Sequence, residues 1–239
     1  MELSNRDALE RKFASRLREL SRRHADQLAR LLGRPPNLAN VPESFWLRVK
    51  QEQEDEMQAL MLLIFLASAD QHATAAGVPV DQLLVNRMEV QGVAFSRARA
   101  NQVATGFVQH SRDMLGNAAQ RWRDRIEAGN TVTQAEVDGD LESLFGRNRM
   151  DGIAVNETTQ AQYVGGDNVI RATVGISQKD RWFTRADRHV CPICSPLHRT
   201  LRDVWEREYP EGPPAHPNCR CWIEWEFEQA GPRTKGGQR

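Results

Sequence analysis

The sequence predicts an α+β protein in which long N-terminal helices precede a small, β-rich C-terminal module. Through the first two-thirds of the chain, apolar residues recur at three- and four-residue spacing, a pattern typical of amphipathic helices. After Gly166 the period of the apolar residues shortens towards two, as in strands. All four cysteines lie between residues 191 and 221. The chain therefore divides into a helical part and a β-rich part that holds every thiol.

Composition and charge exclude several classes of protein. The 239 residues include 32 Lys and Arg against 32 Asp and Glu, so the formal net charge is zero. This balance excludes a polybasic protein whose whole surface binds nucleic acid. The longest apolar run, residues 59–67, is far shorter than the roughly 20 residues of a membrane helix. Residues 1–7 are mixed in charge without an apolar core, so we expect no secretory signal.

Two helices are predicted first. Residues 9–32 form one that ends at Gly33. The second begins near Pro42, because proline is favoured in a first helical turn, and ends near Gly77. Its run 59–67 is apolar on all sides, so we expect that run inside a bundle or against a partner.

The third helical segment, residues 80–128, is the most basic, with a break expected near Gly92 or Gly116. Its arginines are interpreted as a solvated face, with phosphate contact as the alternative; they are Arg97, Arg99, Arg112, Arg121, Arg123 and Arg125.

Two shorter helices and three strand-like segments follow. Thr133 and Glu136 have capping-box spacing and predict a helix that ends around Gly146. A short helix over 150–163 is predicted to stop at Gly165 and Gly166. The β-rich segments are 169–176, 181–184 and 222–227, the last with Ile223, Trp225 and Phe227 on one face.

The chemically informative residues form two similar hooks. Each hook consists of a candidate ligand, a proline, one spacer residue and a second candidate ligand. The hooks are Cys191-Pro-Ile-Cys194 and His216-Pro-Asn-Cys219. Two residues between ligands let the chain curl around one ion, and proline stiffens the curl. The 21 intervening residues, 195–215, are enough for a β-hairpin that brings the hooks together. Three cysteines and one histidine form a closed tetrahedral set typical of structural zinc.

Five candidate donors compete for four places. We favour Cys191, Cys194, His216 and Cys219, because they repeat the same turn and leave Cys221 to begin a strand. The alternative set replaces His216 by Cys221. A third interpretation is a cluster of packed, reduced cysteines without metal.

Residues around the hooks have weaker interpretations. Asp187, His189 and His198 flank the first hook and are candidates to orient its ligands from outside the coordination sphere. No catalytic residue is predicted, because phosphate-binding loops and the HExxH and GxSxG motifs are absent from the sequence.

Two segments form a longer pattern: Trp182-x-Thr184-x-x-Asp187-x-x-x-Cys191-Pro-x-Cys194-x-x-Leu197 and Pro213-Pro-Ala-His216-Pro-Asn-Cys219-Arg-Cys221. Through this pattern, residues 145–225 resemble the phage head morphogenesis, or Mu F-like, minor head protein family. Upstream, Ile153-Ala-Val-Asn-Glu157-Thr158 is similar to the family's helix with a central Arg-Thr-Glu signature. Here Asn156 stands for the Thr, the Arg is missing, and Arg199 stands where the family usually has Gly.

The resemblance implies a non-enzymatic virion component. Such a protein joins the procapsid in the host cytoplasm and stays inside the head near the portal vertex, in several copies per particle. Its expected partners are the portal protein and the capsid interior, with packaged DNA as a further candidate and no membrane. It supports procapsid assembly and DNA packaging or delivery.

The corresponding domain prediction has three parts. Residues 1–146 form a helical arm or bundle that docks on the portal or capsid, and 147–228 form the head morphogenesis domain with the metal site. Residues 229–239 form a basic tail that is predicted to be flexible, since it is polar and rich in glycine.

Two other functions fit a zinc site. One is a zinc-ribbon DNA-binding adaptor, which the zero net charge and the acidic Glu224, Glu226 and Glu228 beside the site disfavour. The other is an HNH-type nuclease, which is disfavoured because no helix is predicted after the last cysteine and no catalytic His and Asn can be assigned.

Overall fold

The computed structural model describes residues 1–185 and 190–227 of the chain. Within them the main elements are α1 (Arg6–Leu32), α2 (Glu43–Ala75), α3 (Gln82–Glu127), α4 (Gln134–Phe145), α5 (Arg147–Thr173), β1 (Arg181–Phe183), α6 (Arg202–Glu208) and β2 (Trp222–Glu224). Single 3₁₀ turns lie at Leu38–Asn40 and Ser195–Leu197. The protein is mostly helical with a small C-terminal sheet, which confirms the α+β class. The tail 229–239 lies outside the described residues.

The first two helices begin and end close to the predicted positions. Gly33 follows α1 with a positive φ of 76°, a conformation that glycine adopts without strain. Pro42 is the N-cap of α2. The capping box at Thr133 and Glu136 is also present, with Thr133 N donating to the Glu136 carboxylate at 2.8 Å.

Helix α2 lies at the centre of the helical bundle and packs against α1, α3 and α5. In its apolar run Leu60, Met61, Ile64 and Phe65 are buried, so this run serves the core of the chain itself. Within residues 1–185 and 190–227, no helix combines the length and hydropathy that a bilayer span requires.

Helix α3 is continuous over 46 residues, so the predicted break is wrong. At Gly92 the missing side chain makes room for α2, since a Cβ there would lie 2.9 Å from Leu62 Cδ1 and Phe65 Cδ1. The buried small residues Ser96 and Ala100 continue this contact at four-residue spacing. Glycine at position 92 therefore allows close helix packing and does not end the helix.

Most of the six α3 arginines considered above form ion pairs within the fold. Four of those six pair with carboxylates on α2, α4 or α5: Arg99 with Glu157, Arg112 with Glu43, Arg121 with Asp140 and Arg125 with Glu136. The Arg99 pair is bidentate, at 2.7 and 2.9 Å, and the Glu157 carboxylate is nearly buried. These four pairs reduce the positive charge that α3 could offer to phosphate.

Helix α5 corrects two predictions. It runs through Gly165 and Gly166 to Thr173, and no strand forms at 169–176. The two glycines face neighbouring elements closely: a Cβ at 165 would overlap the Phe65 backbone, and one at 166 would lie 3.1 Å from the His72 ring. Val169 and Ile170 are buried in the apolar cluster that α5 shares with α2 and the C-terminal module.

The two strands pair in an antiparallel register with Trp182 opposite Ile223. The predicted alternation holds in β2 and beyond, because Ile223 and Trp225 are buried while Glu224 is exposed. The expected β-hairpin between the hooks is absent, since a 3₁₀ turn and α6 occupy residues 195–208.

A buried ion pair anchors the C-terminal module. Asp180 and Arg202 are 1% and 0% exposed, and Asp180 Oδ2 accepts from Arg202 Nε at 3.3 Å. Asp180 Oδ1 also accepts from the backbone N–H of Glu226 at 2.9 Å. The Arg202 guanidinium lies 4.8 Å from the Trp205 ring centroid. Asp180 thus joins the start of β1, α6 and the end of β2.

Candidate metal centre

The five predicted donors converge at the junction of the two hooks. The donor atoms of Cys191, Cys194 and His216 lie within 4.8 Å of one another, and so do those of Cys194, Cys219 and Cys221. Cys194 belongs to both groups. Its Sγ lies 2.9 Å from His216 Nε2 and 3.7 Å from Cys219 Sγ.

The local turns shape both hooks as the spacing predicts. In the first, the Cys194 backbone N–H points at Cys191 Sγ, 3.3 Å away, and the Ser195 N–H donates to the Cys191 carbonyl at 3.0 Å. In the second, the Cys219 N–H donates to the His216 carbonyl at 3.2 Å, and Asn218 adopts a left-handed φ of 63°. Asparagine tolerates this conformation better than most residues.

The histidine is oriented for use as a ligand. His216 Nδ1 lies 2.7 Å from the Pro217 carbonyl oxygen, which can only accept, so Nδ1 carries the proton. The Nε2 lone pair therefore faces the two sulfurs of the first hook, each 2.9 Å away. A backbone carbonyl that fixes the tautomer in this way is common behind metal-bound histidines.

The dimensions fit a small tetrahedral ion. Zinc–sulfur bonds of about 2.3 Å place two ligand sulfurs about 3.8 Å apart, close to the 3.7 Å between Cys194 and Cys219. The sulfur–nitrogen distances of 2.9 Å are shorter than the roughly 3.6 Å of such a tetrahedron, so the hooks must open slightly around an ion. A cavity of about 20 Å³ between the donors provides a starting space.

The sulfurs of the cluster interact through hydrogen bonds. A hydrogen bond from Cys194 lowers the pKa of Cys219, and the same interaction raises the pKa of Cys194. A divalent ion deprotonates the thiols that coordinate it.

Helix α5 holds the second hook through two polar side chains. Asn156 Oδ1 accepts from the Asn218 backbone N–H at 2.7 Å, and the Thr159 hydroxyl donates to the Cys219 carbonyl at 2.6 Å. The hook is therefore held through its backbone, and its ligand side chains stay available for the ion.

The sequence analysis did not single out Thr159, and it predicted no contact for Asn156. Their signal was available: both are polar, lie three residues apart and share the face of α5 that also carries buried Gln162. The structure also accounts for His198, whose Nδ1 accepts from the Thr184 N–H at 3.1 Å and so supports the end of β1. Asp187 and His189 lie outside the described residues.

The fold and the site together define a mostly helical protein whose C-terminal module carries a Cys/His cluster able to hold a metal ion. Comparisons of the chain with protein-family models, with curated proteins and with solved structures find no match.

Proposed function

We propose that this chain is a minor capsid protein of a phage head, associated with the portal inside the head, that supports procapsid assembly and DNA packaging or delivery. The observation that carries the proposal is that the two hooks meet at Cys194 and that Asn156 of α5 holds the second hook. Asn156 and both hooks belong to the segments in which the sequence resembles head morphogenesis proteins.

In this proposal the metal is zinc and its role is structural. The proposed ligands are Cys191, Cys194, His216 and Cys219, with Cys221 as the alternative to His216. Cys194 links the two groups of three donors that the structure forms, and neither set of four lies within one group. Four protein ligands leave no open coordination position, so the ion supplies folding free energy and not catalysis. The module contains two strands of three residues each, so it has little core of its own. Its stability therefore depends on the ion more than the stability of a large domain would.

The helical arm provides the contact with the portal or the capsid interior. Leu83 and Val90 on α3 are 77% and 71% exposed, and they lie seven residues apart, so they share one face of the helix. Exposed aliphatic side chains that form a stripe on a helix suit a protein partner better than DNA.

The test is incorporation into particles. We would co-express the tagged chain with the portal and major capsid proteins of the phage, purify procapsids, and measure the protein and its zinc content. The proposal expects several copies per particle, with about one zinc per copy. Deleting the portal gene should remove the chain from the particles.

Two results would overturn the proposal. A chain that is absent from portal-containing particles but binds duplex DNA, with an affinity that falls steeply with salt, would indicate the DNA-binding adaptor. Metal-dependent cleavage of DNA by the purified chain would indicate a nuclease.

A further inference from the structure

A continuous hydrogen-bond chain runs from the first turn of α1 to the second hook. Arg6 Nη2 donates to Thr159 Oγ1 at 2.5 Å, and the Thr159 hydroxyl donates to the Cys219 carbonyl at 2.6 Å. Arg6 Nη1 also donates to Gln162 Oε1 at 3.1 Å. Arg6 and Thr159 are each only 1% exposed, so water does not compete with these bonds.

Arg6 also forms two long ion pairs near the start of α1. The carboxylates of Glu2 and Glu10 lie 3.8 and 3.6 Å away, longer than good hydrogen bonds, and Arg6 Nε has no hydrogen-bond partner within the described part of the chain. Zinc bound by three thiolates and a neutral histidine has a net charge of −1, which a nearby cation stabilises.

We infer that Arg6 is a positioning residue of the metal centre, which fixes Cys219 through Thr159 and offsets the negative charge of the loaded site. The inference rests on the proposed zinc centre. It makes the start of α1 and ion binding mutually stabilising, although about 200 residues separate Arg6 from the second hook. The helical arm and the metal module are then one thermodynamic unit.

The test compares zinc affinity and the cobalt absorption spectrum across matched variants of the full chain. Arg6→Met removes the charge and the donors, and Thr159→Val removes only the hydroxyl. Arg16→Gln is the control, because Arg16 is on the same helix, is 53% exposed and pairs with Glu56 at the surface. Substitutions of groups that orient metal ligands typically cost 10–100-fold in affinity.

We expect both Arg6→Met and Thr159→Val to weaken zinc binding by about 10–100-fold and to shift the cobalt d–d bands of the folded protein. Arg16→Gln should leave the affinity and the spectrum unchanged. Arg6→Lys, which keeps the charge, should recover part of the loss, and Thr159→Ser should recover most of it.

The outcomes separate this inference from the proposed function. A wild-type chain that binds neither zinc nor cobalt contradicts the metal centre itself. If the wild type binds zinc but the two variants bind it equally well, with unchanged spectra, the centre stands and the role of Arg6 is wrong. Should Arg6→Met fail to fold, Arg6→Lys decides the role of Arg6, because it keeps the charge but replaces the guanidinium. Thr159→Ser and Thr159→Val then test the hydroxyl that links Arg6 to Cys219.

Discussion

Gly165 of α5 packs directly against the backbone of Phe65 in α2, so closely that a Cβ at position 165 would overlap the Phe65 carbonyl oxygen. This contact places α5 on the central helix of the bundle. Because Asn156 and Thr159 of α5 hold the second hook, the Gly165 contact also determines where the metal centre lies relative to the helices.

Gly165→Ala should destabilise the fold, since the helices must separate to admit a methyl group. We expect a loss of about 1–3 kcal/mol in the free energy of unfolding, measured by urea denaturation. Gly139→Ala in α4 is the control, because a Cβ at 139 meets nothing within 4 Å. There alanine should be neutral or stabilise by up to about 1 kcal/mol. Equal stability of the two variants would contradict the close contact.

The ligand set can be decided by single substitutions. Cys194→Ser should abolish zinc binding, because Cys194 belongs to both donor groups. His216→Ala should weaken zinc binding by orders of magnitude, whereas Cys221→Ser should retain one zinc per chain by elemental analysis. The opposite order, with His216→Ala retaining zinc and Cys221→Ser losing it, would establish the set of four cysteines.

Docking of the helical arm is tested by a charge on the exposed face of α3. Val90→Glu should reduce incorporation into procapsids at least tenfold without changing the zinc content or the thermal midpoint, because Val90 is 71% exposed. Gln120→Glu adds the same charge about 45 Å further along the helix, at 1.5 Å per residue, and should incorporate normally. Normal incorporation of Val90→Glu would exclude this face as the contact.

Stability should fall with acid through His72. Burial lowers the pKa of His72 from 6.5 to about 4. Between these values the unfolded chain binds a proton that the folded protein excludes, so the free energy of unfolding decreases as the pH falls from 7 to 4. The loss is at most about 3 kcal/mol.

The His72 effect is measurable by urea unfolding of the zinc-loaded protein, as the difference in pH dependence between the wild type and His72→Gln, in which the effect of acid on the thiolates cancels. His72→Gln should flatten the pH dependence, and His110→Gln, at an exposed position, should preserve it. An unchanged slope in His72→Gln would assign the acid sensitivity to other groups.

Local sequence was sufficient where short-range rules determine structure. The capping box at Thr133, the glycine that ends α1 and the two hooks each depend on residues within one turn. The same holds for the alternation of buried Ile223 and Trp225 in and just after the second strand. The spacing of the cysteines and His216 therefore predicts the five residues that the structure brings into two groups able to hold a metal ion.

Only the tertiary structure decided the features that depend on distant neighbours. Gly165 and Gly166 end a helix by local rules but lie inside α5, because α2 and Trp225 occupy the space that side chains would need. Val169 favours a strand by propensity, yet its burial against the C-terminal module keeps it helical. The sequence alone determined which residues can bind an ion, while packing between helices determined which side chains support them. A contact between distant residues such as Arg6 and Thr159 depends on how two helices pack and cannot be read from either segment by itself.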